Sequence, residues 1–600
     1  MLERSSVAEN ALQALHDEDY DRPFNLQNLN HATMVFTGGR DRVSLDGDWN
    51  FCVDLLDTGL RQKWYAMQPA APIERTEPWD YDPYMGETVP VPSNWAMLKE
   101  KWYFFEGSAW YTRPVDLDPR EGRRLVLRVG AAQYDCKVFL NGVFLGNHYG
   151  GSTPFFVELT DHARVGRNWL MLCVNNTRTR DRVPMRNTDW FNYGGVYREV
   201  ELFDLPQAFI SDAFLRLSQD GKSIKVDVEA NGAQDGKVRI QIPELDIDTV
   251  LKLENGKAHV ALAAVPERWS PDNPRLYDVE IRLGGDVVRD RVGFRTIERR
   301  GTDILLNGKP VWLRGISVHE DDLEHGKVTS DADLRRRFEH ARELGCNFLR
   351  LAHYPHHERA AEIADELGFL LWEEIPVYWA IDFANPDTYR DAENQLLELI
   401  RRDRNRASVV IWSIGNENPD TDARLTFMRG LADAARAADP TRLVAAACLV
   451  NHQKLKIEDR LAEHLDIIGI NEYYGWYDED FDELGVIGRN SSPDRPVVIS
   501  ETGADGATGG HGPKEGLFSE AYMSEVYRRQ IATLRSLDYV KGMSPWILYD
   551  FRVERRQNIF QLGFNRKGLI AADKKTKKEA FGILSAFYGE LAAADEREDR

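Results

Sequence analysis

The spacing of apolar residues predicts two β-sandwich domains in the first half of the chain. From about residue 45 to 203, short runs of largely alternating apolar and polar residues are separated by turn residues, as in RLVLRVG (124–130) and KVFLNGVFLG (137–146). The pair Asn141-Gly142 between two such runs predicts a β-hairpin. Residues 206–299 carry further alternating runs, IKVDVEA and LYDVEIRL, over the length of an immunoglobulin-like module. We therefore predict one sandwich at residues 1–205 and a second at 206–299.

After about residue 300 the pattern changes to apolar strands that alternate with charged amphipathic helices. Two of the predicted helices are 331–344 and 423–437. Eight strand candidates follow in order, at 311–316, 347–352, 369–374, 409–414, 443–448, 467–470, 497–500 and 543–548. Eight strands with intervening helices over this length predict a (β/α)8 barrel at residues 300–600.

Two glutamates follow apolar runs that are typical of buried parallel strands. Glu417 lies in WSIGNENP after the fourth strand candidate, and Glu501 lies in PVVISETG after the seventh. Side chains just beyond the carboxyl ends of barrel strands converge on one mouth, where such folds place their chemistry. A single glutamate at a strand end is more often a capping or ion-pairing residue. Two at one mouth favour cleavage of a glycoside.

The chemistry of glycoside cleavage gives the two glutamates different roles. One carboxyl must protonate the leaving oxygen, and a second, ionised carboxylate must attack or stabilise the anomeric carbon. Asn416 precedes the first glutamate, and its amide is suited to hold the sugar 2-hydroxyl, a contact that strengthens in the transition state. Glu417 is thus the predicted acid/base, and Glu501 the predicted nucleophile.

Composition excludes several partners. A formal net charge of −21 argues against nucleic acid or an anionic membrane as a partner, because either would require a basic surface. The five cysteines are widely spaced and contain no CxxC pair, so they predict neither a zinc site nor a redox site. No run reaches the length of a membrane span, and residues 1–27 lack the core of a signal peptide. We expect a cytoplasmic protein, with the periplasm open if a signal peptide has been removed.

Several motifs, spread over nearly the whole chain, resemble the retaining glycoside hydrolases of family 2. These motifs are SLDGDWNF (44–51), VPSNW (91–95), EGSAWYTR (106–113), NYGGVYREV (192–200), LNGKPVWLRGISVHED (306–321), LRLAHYP (349–355) and the two glutamate runs. The resemblance implies a jelly-roll domain, an immunoglobulin-like domain and a catalytic TIM barrel. It also implies that Glu417 is the acid/base and Glu501 the nucleophile, in agreement with the assignment from the residues. The mechanism expected for Glu417 and Glu501 needs no cofactor, and the resemblance favours an oligomer, commonly a dimer or tetramer.

Within that family, two segments are similar to the β-glucuronidases. The stretch INEYYGWY (470–477) implies that Asn471, Tyr473 and Tyr477 approach the sugar, and NRKG (565–568) implies that Asn565 and Lys567 bind the substrate carboxylate. An ammonium and an amide donor suit a uronate, whereas a neutral sugar would leave the cation unpaired.

The match at the carboxylate-binding segment is incomplete. The bacterial glucuronidases have an arginine four residues before that asparagine, where this chain has Gln561. The charged contact that this arginine would make is either absent or supplied by a neighbour such as Arg556 or Arg566. Lys567 also has an alternative interpretation, as an ordinary surface lysine in a basic loop.

Other polar and aromatic residues near the predicted mouth complete the predicted site. Trp546, placed on the eighth strand, matches the tryptophan on which family members seat the sugar. The loop 188–193, with Asp189 and Trp190, is the segment that the N-terminal domain would lend to the active site. Glu374 is expected to support the active-site residues by hydrogen bonds.

His319, His353 and Arg350 each have two possible interpretations. His319, Arg350 and His353 are expected to orient the nucleophile and the sugar hydroxyls, although a structural ion pair for Arg350 stays open. A metal-dependent hydrolase built on His319 and His353 is a rival mechanism, but the first strand lacks an HxH pair, so no metal is expected.

These observations predict an exo-acting retaining β-glycosidase that acts on a small glycoside or oligosaccharide. A β-D-glucuronide is the leading substrate, because Asn565 and Lys567 fit a carboxylate. Gln561 favours the alternative of a β-galactosidase or a β-galacturonidase of the same family. A carbohydrate-binding protein without activity is the alternative from another class, and the presence of both glutamates argues against it.

Overall fold

A computed structural model describes residues 24–67, 82–509 and 516–598, with the side chains of 596–598 left out. Most of the segment 1–27, for which no signal-peptide core was predicted, lies outside the described residues. Contacts between Cα atoms divide the chain into two compact units. The first unit contains residues 42–177 and 194–205 with the N-terminal segment, and the second contains 34–41, 178–193 and 206–600.

The first unit is built from antiparallel sheets. A six-stranded sheet has the order Glu87–Val91, Gly47–Asp54, Ser108–Leu117, Gly166–Asn175, Asp135–Leu140 and Val143–Tyr149. A four-stranded sheet has the order Val43–Ser44, Val200–Pro206, Arg123–Val129 and Phe155–Glu158, and a small sheet pairs Ala132–Gln133 with Gly195–Val196. Asn141 and Gly142 form the predicted hairpin turn with φ values of 52° and 84°, the positive values that such a two-residue turn requires.

Short helical segments connect these strands. They are the α-helix Trp95–Leu98 and the 3-10 turns His31–Thr33, Trp64–Ala66, Glu100–Trp102 and Thr160–His162.

The second unit begins with an immunoglobulin-like sandwich. One sheet has the order Phe209–Leu217, Ser223–Asn231 and Lys257–Ala263, and the other has the order Ile247–Leu253, Gly236–Ile242, Tyr277–Leu283 and Asp286–Val292. Alternate residues of both sheets share one apolar core, which includes Val226, Ile240 and Ile281. A 3-10 turn, Pro243–Leu245, and a small sheet of Ile297–Arg300, Asp303–Leu306 and Lys309–Pro310 complete this region.

The remainder of the second unit is a closed barrel of eight parallel strands, so the predicted fold class is confirmed. The strands are Leu313–Val318, Phe348–Leu351, Leu370–Glu374, Val409–Asn416, Leu443–Cys448, Ile467–Asn471, Val497–Glu501 and Val540–Met543. Several predicted strand bounds need correction. The first strand begins and ends two residues later than predicted, and the fourth extends to Asn416. The seventh includes Glu501 as its last residue, and the eighth ends at Met543, so Trp546 lies beyond it and not on it.

The barrel is surrounded by the helices that the sequence pattern indicated. They are Asp331–Leu344, Glu358–Leu367, Pro386–Asp403, Asp422–Ala438, Glu483–Asn490, Glu520–Leu534 and Glu579–Glu598, with a 3-10 turn at Arg460–His464. The first of them has the predicted bounds because its ends are encoded locally. Ser330 and Asp333 form a capping box at its start, and Gly345, with φ of 91°, ends it. Apolar residues of strands and helices form one large core around the barrel.

Two short hairpins follow or interrupt the barrel strands. Val450–Asn451 pairs with Lys456–Ile457, and Phe551–Arg552 pairs with Phe564–Asn565. The second hairpin holds residues 553–563, a loop that reaches the candidate site. No helix of the described part of the chain is long and apolar enough to cross a membrane.

Candidate active site at the barrel mouth

Both glutamates lie at the carboxyl ends of barrel strands, as the sequence predicted. Glu417 is the first residue after the fourth strand, and Glu501 ends the seventh. Glu417 has φ of 51°, a left-handed conformation that ends the strand, and its backbone N–H donates to the carbonyl of Ala447 at 3.0 Å. Non-glycine residues in this conformation are uncommon, and those outside turns are enriched at functional sites.

The carboxylate of Glu501 is held at both oxygens. Arg350 Nη1 donates to Oε1 at 2.8 Å, and the hydroxyl of Tyr473 donates to Oε2 at 2.7 Å. His353 Nε2 lies 3.7 Å from Oε1. These contacts fix the rotamer of Glu501 and so hold its carboxylate in one position, as a nucleophile requires.

Arg350 connects this carboxylate to the rest of the mouth. Its guanidinium is fully buried and donates to both oxygens of Glu374, at 3.1 and 3.0 Å, and to Asn416 Oδ1 at 2.9 Å. The contact to Glu501 and the barrel-interior ion pair are therefore both present. Burial acts to raise the pKa of Glu374, but Arg350 and His353 outweigh it and hold that pKa at about 2.

Glu417 has the opposite electrostatic surroundings. Burial raises its pKa, the negative charge of Glu501 raises it further, and the result is a pKa of about 7. The indole Nε1 of Trp379 donates to its Oε2 at 2.7 Å. A carboxyl with this pKa can give up a proton and take one back near neutral pH, which suits a general acid and base.

The amides of Asn416 and Asn471 form a chain beside the glutamates. Asn471 Nδ2 donates to Asn416 Oδ1 at 3.1 Å, and Ser500 Oγ donates to Asn471 Oδ1 at 2.7 Å. Because Asn416 Oδ1 also receives Arg350, the amide orientation is fixed. The Nδ2 of Asn416 is buried and bonds to no other described side chain or backbone group, so it is the donor suited to a sugar hydroxyl.

Aromatic rings pack around the two predicted histidines. His353 Nδ1 bonds to Glu374 Oε1 at 2.7 Å, and its ring stacks on Trp546 at 4.8 Å between centroids. His319 Nδ1 bonds to the hydroxyl of Tyr354 at 3.0 Å, and its ring meets Trp546 edge-on at 5.1 Å. Trp190 packs against His353 at 5.6 Å. These rings form an aromatic lining next to Glu501.

The histidines are thus engaged by protein groups. Within the described residues, no group of three or more histidine, cysteine, aspartate or glutamate side chains is arranged to hold a metal ion. The nearby His356 also bonds to the protein, through Nε2 to the carbonyl of Ala352 at 2.9 Å.

Lys567 is buried and not a surface lysine, so that alternative interpretation is wrong. Its ammonium is 1% exposed and lies 2.8 Å from Asp505 Oδ2 and 2.9 Å from the hydroxyl of Tyr477. Burial acts to lower its pKa, but Asp505 more than offsets that effect and the pKa is raised. Lys567 therefore stays charged inside the protein.

Arg556 is a second cation at the same place. It forms an ion pair with Asp189, and its Nη2 donates to the hydroxyl of Tyr477 at 3.3 Å. Asp189 also accepts from Asn565 Nδ2 at 3.2 Å. Burial acts to raise the pKa of Tyr477, yet Lys567 and Arg556 together lower it. Two cations thus converge on one hydroxyl oxygen.

Gln561 has a different task from the arginine expected at its position. Its Nε2 donates to Asp505 Oδ1 at 3.1 Å, so it helps to orient the partner of Lys567. Arg566, the other candidate to replace that arginine, lies 3.6 Å from Asp550 and over the ring of Phe564. Of the two neighbours, Arg556 is the one that approaches Lys567 and Tyr477.

Three models of one family match the chain in succession. The sugar binding domain of glycosyl hydrolases family 2 matches residues 43–206, the model described as glycosyl hydrolases family 2 matches 208–295, and the TIM barrel domain of the same family matches 297–590. The chain belongs to glycosyl hydrolase family 2. The resemblance in the sequence motifs is thereby confirmed, and the chain is a glycoside hydrolase.

Curated relatives and solved structures match almost the whole length of this chain. The β-glucuronidase of Paenibacillus borealis is 28% identical over 612 residues, covering 93% of this chain and 98% of its own. The human β-glucuronidase is 27% identical over 620 residues, covering 92% and 91%. A β-glucuronidase of an uncultured Clostridium has a TM-score of 0.81 at 27% identity, covering 92% of this chain and 98% of its own. The Ruminococcus gnavus β-glucuronidase in complex with D-glucuronic acid has a TM-score of 0.80 at 25% identity, covering 94% and 100%.

Two residues of the family 2 enzyme's site were missed by the sequence analysis. Asp505 lies four residues after Glu501, and Trp379 lies five residues after Glu374. The only available signal was their position just beyond barrel strands, which many residues without a role in the site share. Their partners, Lys567 and Glu417, come from distant parts of the chain.

Proposed function

We propose that this chain is an exo-acting retaining β-D-glucuronidase that hydrolyses terminal β-D-glucuronides. The observation that carries the proposal is the buried Lys567. Its ammonium donates to the Tyr477 hydroxyl, and the guanidinium of Arg556 donates to the same oxygen. Two cations directed at one point provide charge-assisted donors for a carboxylate. Lys567 and Arg556 are held in place by Asp505 and Asp189, and a neutral sugar would form no charge-assisted bond with the donors that they direct at the site.

The reaction follows from the two carboxyl groups. Glu501 attacks the anomeric carbon, while Glu417 donates its proton to the glycosidic oxygen and the bond to the leaving group breaks. A covalent glycosyl-enzyme forms on Glu501. Glu417, now ionised, removes a proton from water, which attacks the anomeric carbon. The bond to Glu501 breaks, which restores its carboxylate and releases glucuronate with retained configuration. Tyr473 and Arg350 hold Glu501 in line for both steps.

The remaining predicted residues bind the sugar in this proposal. Asn416 Nδ2 donates to the 2-hydroxyl, and Asn471 fixes the Asn416 amide. Trp546 supports the ring of the sugar with its indole, and the histidines supply hydrogen bonds to the other hydroxyls. Asn565 and Lys567 bind the carboxylate together with Tyr477. Asp189 positions Asn565 and Arg556 by direct hydrogen bonds.

Initial rates on p-nitrophenyl β-D-glucuronide, β-D-galacturonide and β-D-galactoside test the substrate. We expect the glucuronide to have the highest kcat/KM, and Glu417→Gln and Glu501→Gln to abolish most of the activity. A leading galactoside would refute the carboxylate site, and a leading galacturonide would keep the carboxylate but change the stereochemistry at C4. Release of no phenol from any of the three would favour the carbohydrate-binding alternative.

We further propose a homo-oligomeric, cytoplasmic enzyme with domains at 1–205, 206–299 and 300–600. The five cysteines are all free, and four of them are buried. Unpaired thiols are typical of proteins kept in a reducing compartment. Size-exclusion chromatography with light scattering tests the oligomer, and fractionation of the source cells tests the location.

A further inference from the structure

The indole of Trp379 forms a fixed wall next to the acid/base carboxyl. The indole N–H of Trp379 donates to Glu417, and its backbone N–H donates to the carbonyl of Asn416 at 2.9 Å. Asn418 Nδ2 donates to the carbonyl of Trp379 at 2.8 Å. Three hydrogen bonds thus tie this tryptophan to residues 416–418. Because Glu417 protonates the leaving oxygen, the leaving group has to lie beside this ring.

Arg555 covers the Trp379 ring and has no acidic partner among the described residues. Its guanidinium carbon lies 5.1 Å from the ring centroid, and Nη1 donates to Asn187 Oδ1 at 3.2 Å. No described carboxylate lies within 4.0 Å of its nitrogens. The next residue, Arg556, differs because Asp189 neutralises it. The side chain of Arg555 is exposed, so a ligand can reach it.

The charges near Arg555 leave it uncompensated. Asp382, on the same segment as Trp379, lies 3.6 Å from Arg180 and is thereby paired with another cation. The chain as a whole carries −21. Arg555 is therefore a cation with no described acidic partner next to the ring that contacts the acid/base, and it attracts an anion to one side of the scissile bond.

We propose that Trp379 and Arg555 form a leaving-group subsite that prefers a leaving group with an acidic substituent, either a carboxylate or a sulfate ester. The guanidinium would bind that substituent by charge-assisted hydrogen bonds, and the indole would contact the ring that carries it. This inference rests on the proposed roles of Glu417 and Glu501. It does not depend on which sugar occupies the other side of the bond.

The test compares leaving groups on one sugar. The kcat/KM is measured for p-nitrophenyl glycosides with and without a carboxylate or a sulfate ester on the phenyl ring, using the sugar that the wild-type protein hydrolyses best. We expect Arg555→Gln to lower the ratio of acidic to neutral substrate about fivefold, the size typical of an exposed charge pair. Arg555→Lys should restore most of the ratio, because it keeps the charge.

Arg528→Gln is the matched control. Arg528 lies on the outer helix Glu520–Leu534 with Glu525 as its partner, and its loss changes the net charge equally. The proposal is overturned if Arg555→Gln leaves the ratio unchanged for both acidic substituents, if Arg528→Gln lowers it as much, or if Arg555→Lys fails to restore it. A preference for a galactoside would instead refute the proposed glucuronidase function and leave this ratio measurable.

Discussion

The ammonium of Lys567 and the carboxylate of Asp505 form a buried ion pair, 2.8 Å apart, in which neither side chain is more than 1% exposed. Burying such a pair is unfavourable unless both charges find further partners. Lys567 has Tyr477, and Asp505 has Gln561 and the backbone N–H of Arg566. The pair therefore keeps a cation charged at the place where we propose that the substrate carboxylate binds.

Asp505→Asn should weaken the binding of a glucuronide. Without the aspartate, burial is no longer offset and the Lys567 pKa falls, so less of the lysine is charged. We expect the KM for the glucuronide to rise about tenfold or more, and to rise further as the pH increases. Measuring KM between pH 6 and 9 checks this. A KM that rises equally at every pH would indicate a loss of packing and not of charge.

Arg556 and Arg566 offer a matched pair of variants. Arg556→Gln removes the cation that meets Tyr477 and should raise the KM for the glucuronide about tenfold. Arg566→Gln removes a cation that faces Asp550 and should change that KM less than twofold. The ratio of kcat/KM for glucuronide over galactoside, measured for both variants, is the readout. Equal effects of the two substitutions would contradict the assignment of Arg556.

The acid/base assignment predicts the alkaline side of the pH–rate profile. With a pKa of about 7, Glu417 is protonated below that pH and can act as the acid, and it loses the proton above it. The kcat/KM should therefore decline above about pH 7. Glu417→Gln should lower kcat on a glycoside with a poor leaving group by a factor of about 100 or more and abolish this decline. Persistence of the decline in the variant would assign it to another group.

The low pKa of Glu374 predicts that the folded protein loses stability in acid. Its pKa is held at about 2, below the usual 4.5, so its stabilising contribution is complete above about pH 4.5 and is lost as the pH falls towards 2. A shift of this size corresponds to about 3 kcal/mol. Glu374→Gln should lower the urea midpoint at pH 7 and reduce its change between pH 5 and pH 3. Glu590→Gln, at an exposed carboxylate, should leave the change between pH 5 and pH 3 as in the wild type.

The outline of the fold could be predicted because it depends on local patterns. The alternating runs in the first half, the Asn141-Gly142 turn and the capped helix Asp331–Leu344 each carry their own signal in neighbouring residues. The eighth strand was predicted at 543–548, but pairing with the first and seventh strands lies within Val540–Met543 and ends at Met543. Where such a run stops pairing depends on its neighbours in the barrel and not on its own residues.

The sequence by itself determined the two glutamates, since each follows a strand-forming run and paired carboxylates fit one chemistry. Only the tertiary structure decided what surrounds them. Glu417 receives its raised pKa from Glu501 and burial, and Lys567 receives its partner from Asp505, 62 residues away. Only the structure shows that Arg556 approaches Tyr477 whereas Arg566 lies near Asp550. The charge state, burial and direction of these side chains arise from contacts between distant segments. A pattern of neighbouring residues does not contain that information.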